Sequence, residues 1–207
     1  MKKAYPPELQ TRLWEAIKAV EQHSHVEIAV VLRSRSADYQ EVALMWGVLL
    51  AWLAFSYVMF APELFSDTVV YAAPLLAFVL GYALGHNSAL TRLSVKKPRL
   101  HKQVEIMARA IFQKGGIHHT QRKIGVLVYV SLLEKRVYVL PDRGVAVALP
   151  ATQWQSLQDN LQSIFNTRKP LEALILQLQH CQPLFNRYLP PLADDINELP
   201  DDLDVDL

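Results

Sequence analysis

The sequence predicts an α/β protein, an α/β/α layered sandwich with a mixed sheet, interrupted by a two-helix transmembrane hairpin. Two uncharged apolar runs follow each other closely in the first half of the chain. Stretches rich in β-branched residues lie on both sides of them and alternate with amphipathic helical patterns, which is typical of a sheet covered by helices. The length of 207 residues suits one ordinary domain with an accessory segment.

The chain begins with an amphipathic helix and a strand. Apolar residues recur at helical spacing with charged residues between them, at Leu9, Leu13, Ile17 and Val20. Residues 25–33, HVEIAVVLR, are rich in β-branched residues and bounded by polar ones. We expect this segment to be a strand that is buried on both faces.

The transmembrane hairpin is predicted over residues 42–85. Its two runs, residues 42–61 and 69–85, contain no charge, and each can cross about 30 Å of hydrocarbon as a helix, the second only just. A pair of buried core helices is the alternative, but two such runs separated only by PELFSDT make a poor amphipathic pattern. Neither run is a cleavable signal, because 41 largely polar residues precede the first.

The charges that flank the hairpin predict its orientation. Arg33 and Arg35 precede it, Arg92, Lys96, Lys97, Arg99 and Lys102 follow it, and the connecting loop offers only Glu63 and Asp67. The positive-inside rule therefore places both termini in the cytoplasm. Two spans also put residues 1–41 and 86–207 on one side of the membrane, where they can form a single domain.

The second half of the chain completes the sheet and its helices. A second amphipathic helix, marked by Leu100, Val104, Met107 and Ile111, ends at two glycines. IGVLVYVSLL and RVYVLP are two strands joined by a tight turn at Glu134 and Lys135, and helices follow over residues 150–165 and 171–188. A crossover joins the first two strands, so they should be parallel, while the third strand returns antiparallel to the second.

This topology brings a small charged cluster to one edge of the sheet. Asp142 and Arg143 end the third strand, beside Glu27 at the start of the first and Arg122 at the start of the second. Glu27 and Asp142 are candidate metal ligands, and with Arg143 they are the candidate catalytic residues, since a phosphatase needs converging carboxylates and a cationic clamp. The favoured alternative is structural: Glu27 pairs with Arg122 or Arg143, Asp142 caps its own turn, and Gly144 supplies a positive φ.

Other residues carry weaker signals. His118 and His119 are interpreted as loop histidines, because adjacent histidines tend to point apart and no third ligand stands at a recognisable spacing. Cys181 lies in an apolar helical pattern without a partner and is expected to be a buried, inert thiol. The sequence has no GxSxG, P-loop, CxxC or dinucleotide-binding glycine pattern.

Charge is distributed unevenly along the chain. The acidic tail, residues 194–207, holds seven of the twenty acidic residues and no Lys or Arg, so residues 1–193 carry a net charge of +8. The cations are dispersed without an Arg/Lys stripe or a zinc signature, which argues against nucleic acid as a partner. We expect the tail to be a solvated extension, with local packing or a partner as the alternatives.

Three segments of the chain resemble the TPM domain family, particularly its small bacterial membrane proteins. These are AIKAVEQHSHVEIAVVL, ARAIFQKGGIHHTQRKIGVLVYVSLLEKRVYVLPDRGVAVALPATQW and DINELPD. The resemblance implies an α/β/α sandwich around a mixed sheet. It also implies a range of activities, since family members are described as acid phosphatases, as calcium-binding proteins and as auxiliary factors for membrane complexes. Residue by residue it carries over only Glu27 and the turn formed by Asp142, Arg143 and Gly144.

Two functions follow from the residues and the resemblance together. The leading prediction is a multi-pass protein of the bacterial inner membrane with a cytoplasmic domain, acting as an auxiliary or quality-control module for another membrane protein. The alternative is an acid phosphatase-like hydrolase that depends on a divalent cation such as calcium or magnesium. Whether the chain is an enzyme stays open at this point.

Overall fold

The computed structural model of the chain describes residues 7–117, 120, 122–191 and 204–206. Its elements in chain order are α1 (Pro7–Gln22), β1 (Glu27–Arg33), α2 (Gln40–Phe60), α3 (Asp67–Gly85), α4 (Ser88–Ser94), α5 (Lys97–Lys114), β2 (Gly125–Ser131), β3 (Arg136–Pro141), α6 (Arg143–Ala148), α7 (Ala151–Gln162), a 3-10 turn (Ser163–Asn166), α8 (Pro170–Tyr188) and β4 (Asp204–Asp206). The chain divides into two compact units, residues 1–36 with 102–207, and residues 37–101.

A mixed sheet organises the first unit, with strand order β3-β2-β1-β4. β1 is parallel to β2, with Glu27 in register with Gly125, and β3 is antiparallel to β2, with Val126 opposite Pro141. The predicted directions of these three strands are confirmed. β4 was not predicted: residues 204–206, within the tail expected to be solvated, pair parallel to the end of β1.

Helices cover both faces of the sheet, so the α/β class is confirmed. On one face the even-numbered residues of β1, such as Val30 and Leu32, pack with α1, α7 and α8. On the other face Val31 of β1 packs with Val104 and Ala108 of α5. Both faces are apolar because successive strand side chains point to opposite sides and both sides are covered.

The second unit is built on α2 and α3, which pack as an antiparallel pair. A Cβ atom added to Gly81 would lie 2.4 Å from the carbonyl oxygen of Trp46, and one added to Gly85 would lie 2.4 Å from Cα of Ala43. Small residues at four-residue spacing, Ala43 and Gly47 on α2 and Gly81 and Gly85 on α3, therefore let the two backbones approach closely.

Two short helices, α4 and α6, do not follow from the sequence patterns. α6 begins directly after β3, where the sequence predicted only a strand end and a turn. Its six residues, Arg143–Ala148, span fewer than two helical turns, which is too short for a recognisable apolar period.

Candidate functional site

The DRG turn opens α6. Asp142 is its N-cap residue, and Oδ1 of Asp142 accepts a hydrogen bond from the backbone amide of Arg143 at 2.7 Å. The backbone amide of Asp142 continues the sheet by donating to the carbonyl of Gly125 at 2.8 Å. Asp142 is only 9% exposed, and its Oδ2 forms no hydrogen bond within the part of the chain that the structure describes. A buried carboxylate oxygen of this kind is costly unless something else satisfies it.

Glu27 and Asp142 stand on either side of Gly125. Glu27 is in register with Gly125 on β1, and Asp142 bonds to Gly125 from the β3 side. The predicted juxtaposition of Glu27 and Asp142 at one edge is therefore observed, with their backbones about two strand spacings, roughly 10 Å, apart. Strand alternation puts all three residues on the face covered by α5. Glu27 is buried as well, at 5% exposure.

The backbone of Ile117 fills the space over Gly125. A Cβ atom at Gly125 would come within 2.4 Å of the Ile117 carbonyl oxygen. Gly116, at φ 68°, turns the chain after α5 towards this position. Thr120 is buried further along the same loop, and its Oγ1 accepts a hydrogen bond from the amide of Ile124 at 3.1 Å. This edge therefore combines two buried carboxylates with a neighbouring backbone carbonyl, and all three are oxygen donors that suit a hard divalent cation.

The predicted role of Gly144 is wrong. Gly144 lies in α6 without a positive φ, and Lys123 instead has the left-handed conformation, at φ 57°. Glycine is needed at position 144 because a Cβ atom would lie 2.6 Å from the carbonyl oxygens of both Arg122 and Lys123. The amide of Gly144 donates to the Lys123 carbonyl at 2.8 Å, so this contact ties α6 to the segment that enters β2.

The expected salt bridge is also wrong. Among the residues that the structure describes, neither Arg122 nor Arg143 forms an ion pair with Glu27 or Asp142. Both arginines are exposed. The bracing interpretation thus loses the two arginines as partners, while the capping role of Asp142 stands.

The histidine pair, His118 and His119, lies outside the described residues. Within the described ranges, no three His, Cys, Asp or Glu residues come together as a metal-binding group. Glu27 and Asp142 are the acidic residues that could hold a cation at this edge, with the Ile117 carbonyl as a further donor.

A buried polar cluster at the opposite end of the sheet escaped the sequence analysis. Oγ of Ser36 lies 2.9 Å from the hydroxyl of Tyr129 and 2.9 Å from Oγ of Ser131. Glu134 accepts a hydrogen bond from the amide of Ser36 at 2.9 Å, and another from the Ser131 hydroxyl. All four residues are at most 5% exposed. The signal in the sequence is a polar residue at the end of an otherwise apolar strand, Ser131, and an acidic residue in the turn that follows, Glu134.

Burial sets the ionisation of two groups in the first unit. The pKa of Tyr129 is raised, chiefly by its burial. Burial raises the pKa of the Cys181 thiol to about 12. Its Sγ donates to the carbonyl of Gln177 at 3.0 Å, and no other described residue is a cysteine. The thiol is therefore buried, as predicted, and protonated at neutral pH, which agrees with an inert role.

Comparison with known proteins relates part of the chain to a protein family. Residues 95–179 match the model of the TPM domain. The matched segment contains α5, the β2–β3 hairpin, Asp142 and α6, whereas β1 with Glu27 precedes it. No curated protein matches the chain.

The fold is similar to the NMR structure of the BA42 protein from the psychrophilic bacterium Bizionia argentinensis sp. nov.. The TM-score is 0.62 at 16% sequence identity, and the alignment covers 99% of this chain and 97% of that chain. At this identity the likeness concerns the fold alone.

Proposed function

Because residues 95–179 give this chain a TPM domain, we propose that it is a membrane-anchored TPM module that assists the assembly or quality control of other membrane proteins. The proposal places the hairpin in the inner membrane of a bacterium and both termini in the cytoplasm. The cationic flanks of the hairpin, and a connecting loop without Lys or Arg, support this orientation.

The observation that carries the proposal is the exposed apolar surface of α2 and α3. The two helices have 21 and 19 residues. In the most apolar 18-residue stretch of each helix, only 22% of α2 and 11% of α3 are buried. Trp52 is 63% exposed and Leu75 is 69% exposed. An apolar surface of this extent is unfavourable in water, whereas lipid chains would cover it at no such cost.

The packing of the pair agrees with a lipid environment. Lipid chains are as apolar as leucine, so helices in a bilayer associate through close van der Waals packing at small residues. Gly81 and Gly85 form a GxxxG motif, and they face Trp46 and Ala43 at distances that only glycine permits. This close interface supports a two-helix anchor.

Extraction from membranes tests the anchor. The full chain should stay in the pellet after alkaline carbonate treatment, and a reporter fused to Leu207 should be active only in the cytoplasm. Leu75→Arg with Leu76→Arg should reduce membrane retention, because a charge at the centre of a span costs about 3 kcal/mol. Leu176→Arg, an exposed leucine of α8, is the matched control and should leave retention unchanged. Complete release of the wild-type chain, or a reporter active in the periplasm, would contradict the proposal.

The auxiliary role needs a separate measurement. The full chain, purified in a mild detergent, should carry a membrane protein complex in fixed stoichiometry, and loss of the chain should lower the amount of that complex. A chain carrying Leu75→Arg and Leu76→Arg tests whether copurification of the complex depends on the membrane anchor. If no membrane protein copurifies and none changes in abundance, the auxiliary role fails.

A second function, a phosphatase that depends on a divalent cation, is favoured by the buried oxygen Oδ2 of Asp142. A cation held by Asp142 and Glu27 would satisfy this oxygen and would supply charge neutralisation to a phosphate group. Arg143 and Arg122, exposed and without ion pairs among the described residues, would bind the phosphate oxygens. Water beside the cation would be the attacking group.

Phosphate release from an aryl phosphate tests this second function. Release should require calcium, magnesium or manganese, and Asp142→Asn should abolish it while the melting temperature changes little. Asp159→Asn on the exposed surface of α7 is the matched control and should retain full activity. No turnover with any of the three cations, together with no heat of cation binding in calorimetry, would exclude this function.

A further inference from the structure

A second concave site lies where β2 turns into β3, away from Glu27 and Asp142. The cavity has a volume of about 590 Å³, within the range of small-molecule sites. Leu9, Leu132, Phe165 and Leu171 supply its apolar lining, and Lys135 and Arg168 line it as well. The four apolar side chains are half-buried or buried, whereas the two cationic residues are exposed. The cavity is therefore apolar inside and positively charged at its opening.

Neither cation at the opening has a counter-ion in the part of the chain that the structure describes. Within the described residues, neither Lys135 nor Arg168 forms an ion pair or a side-chain hydrogen bond. The adjacent Lys169 differs, because its Nζ lies 3.0 Å from Oε1 of Glu172. Two cations beside an apolar cavity, without a counter-ion among the described residues, are complementary to a ligand with an anionic head and an apolar tail.

The backbone at Lys135 adds a second observation. Lys135 adopts φ 49°, a left-handed conformation that glycine and asparagine occupy more readily than lysine. The residue is held there by the β2–β3 turn, and its carbonyl accepts a hydrogen bond from Nε2 of Gln162 at 3.0 Å. The turn therefore fixes the backbone of Lys135 beside the cavity.

The end of β1 lies close to the cavity in the fold. β1 runs parallel to β2, so Arg33, the last residue of β1, lies at the same end of the sheet as the β2–β3 turn. From Arg33 the chain continues through six residues to the start of α2. The cavity therefore lies at the end of the sheet where the chain leaves β1.

We propose that this cavity binds an anionic lipid. One acyl chain would lie against Leu9, Leu132 and Leu171, and the phosphate of the headgroup would bind Lys135 and Arg168. The choice of a membrane lipid over a free anionic amphiphile rests on the membrane anchor proposed above. The binding chemistry, an anionic head on a single apolar chain, rests on the cavity itself.

Photolabelling of the full chain tests the proposal. The protein is purified in a neutral detergent and labelled with a photoreactive lysophosphatidylglycerol, and the labelled peptides are identified by mass spectrometry. Label should concentrate on peptides that contain Leu9, Leu132 and Leu171. Unlabelled lysophosphatidylglycerol should compete at least about tenfold better than lysophosphatidylcholine, as expected for two charge-assisted contacts.

Variants distinguish binding in the cavity from general electrostatic attraction of the lipid to the protein. Lys135→Glu with Arg168→Glu should lower labelling at these peptides by about tenfold or more, whereas Lys102→Glu with Lys114→Glu changes the net charge equally and should lower it little. Leu132→Trp should fill the cavity and block labelling while the melting temperature is retained. Equal losses in both double variants, or equal competition by the two lipids, would overturn the proposal.

The carbonate extraction described above keeps the two proposals apart. A chain that stays in the membrane but shows no preference for the anionic lipid retains the anchor and refutes the lipid site. A chain that carbonate releases, but that binds lysophosphatidylglycerol at the cavity, refutes the anchor and supports the site for an anionic amphiphile.

Discussion

The backbone amide of Ser36 donates a hydrogen bond to Oε1 of Glu134 at 2.9 Å, joining residues 98 positions apart. Ser36 lies just beyond β1, where the chain leaves the sheet, and Glu134 lies in the β2–β3 turn. The Ser131 hydroxyl donates to the second oxygen of Glu134. This buried carboxylate thus links the exit of β1 to the neighbouring strands.

Glu134→Gln should destabilise the first unit. Glutamine retains the size of the side chain but replaces one acceptor by a donor, so either the Ser36 amide or the Ser131 hydroxyl loses its partner. The cost should be about 1–3 kcal/mol, measured by urea unfolding of the full chain in detergent. Glu105→Gln removes an exposed carboxylate that pairs with Arg109, and it should change the free energy of unfolding by less than about 1 kcal/mol. Equal effects of the two changes would contradict this role for Glu134.

Tyr129 should make stability fall at alkaline pH. Burial raises its pKa above the ordinary value of a tyrosine, so the folded state holds the phenolic proton more tightly than the unfolded state does. Its contribution is fully present below the unfolded value of about 10 and is lost as the pH rises through the folded value. Tyr129→Phe should flatten the fall in unfolding free energy above about pH 10. Tyr188→Phe is the control, and an unchanged slope in Tyr129→Phe would count against this assignment.

Cys181 should resist thiol reagents in the folded protein. Its pKa of about 12 leaves little thiolate at neutral pH, and burial limits access. Labelling by a maleimide should be slow in native buffer and fast in denaturant. A Cys181→Ser chain with Ser156→Cys, which places the thiol on an exposed position of α7, should label rapidly under both conditions. Rapid labelling of native Cys181 would show that the helix opens locally.

Gly144→Ala should destabilise the start of α6 although alanine favours helices. Its Cβ atom would come within 2.6 Å of two carbonyl oxygens, so the segment that leads into β2 must shift. Overpacking of this kind costs about 1–3 kcal/mol in thermal or urea unfolding. Ala146→Gly, an exposed position of the same helix, should cost only about 1 kcal/mol. An alanine at position 144 that stabilises the protein would show that the glycine is not required by packing.

Asp142→Asn should leave stability nearly unchanged. Asparagine caps helices about as well as aspartate, and no ion pair with Arg122 or Arg143 is lost. A change below about 1 kcal/mol is expected in the absence of divalent cations. Asp142→Ala is the comparison and should cost about 1 kcal/mol or more, because it removes the cap. A large loss in Asp142→Asn would restore the bracing role of the carboxylate.

The strands and long helices could be predicted because their signals are local. Runs of β-branched residues predicted β1 and β2, and the crossover rule then predicted their parallel pairing, which in turn brought Glu27 and Asp142 to one edge. The apolar runs predicted α2 and α3 to within two residues at each end. These patterns involve neighbouring residues, so the spacing of apolar residues in the sequence indicates which face of a helix or strand is buried.

The details of the candidate site depend on contacts between distant segments. A glycine at position 144 can indicate either a positive φ or the close approach of another backbone segment. Only the packing against Arg122 and Lys123 shows that the second reason applies. The same holds for the ion pairs expected with Arg122 and Arg143, which are not found among the described residues. Charges near one edge of a sheet form pairs only where the tertiary structure brings their side chains together.

By itself, the sequence determined the α/β class, the order and direction of three strands, and the two apolar helices. Only the tertiary structure decided that residues 204–206 form a fourth strand, that Oδ2 of Asp142 is buried without a hydrogen bond among the described residues, and that Lys135 and Arg168 flank an apolar cavity. The physical reason is the separation of interacting residues along the sequence. Secondary structure follows from periodic burial among neighbouring residues, whereas hydrogen-bond partners, close backbone contacts and cavities form where distant segments meet.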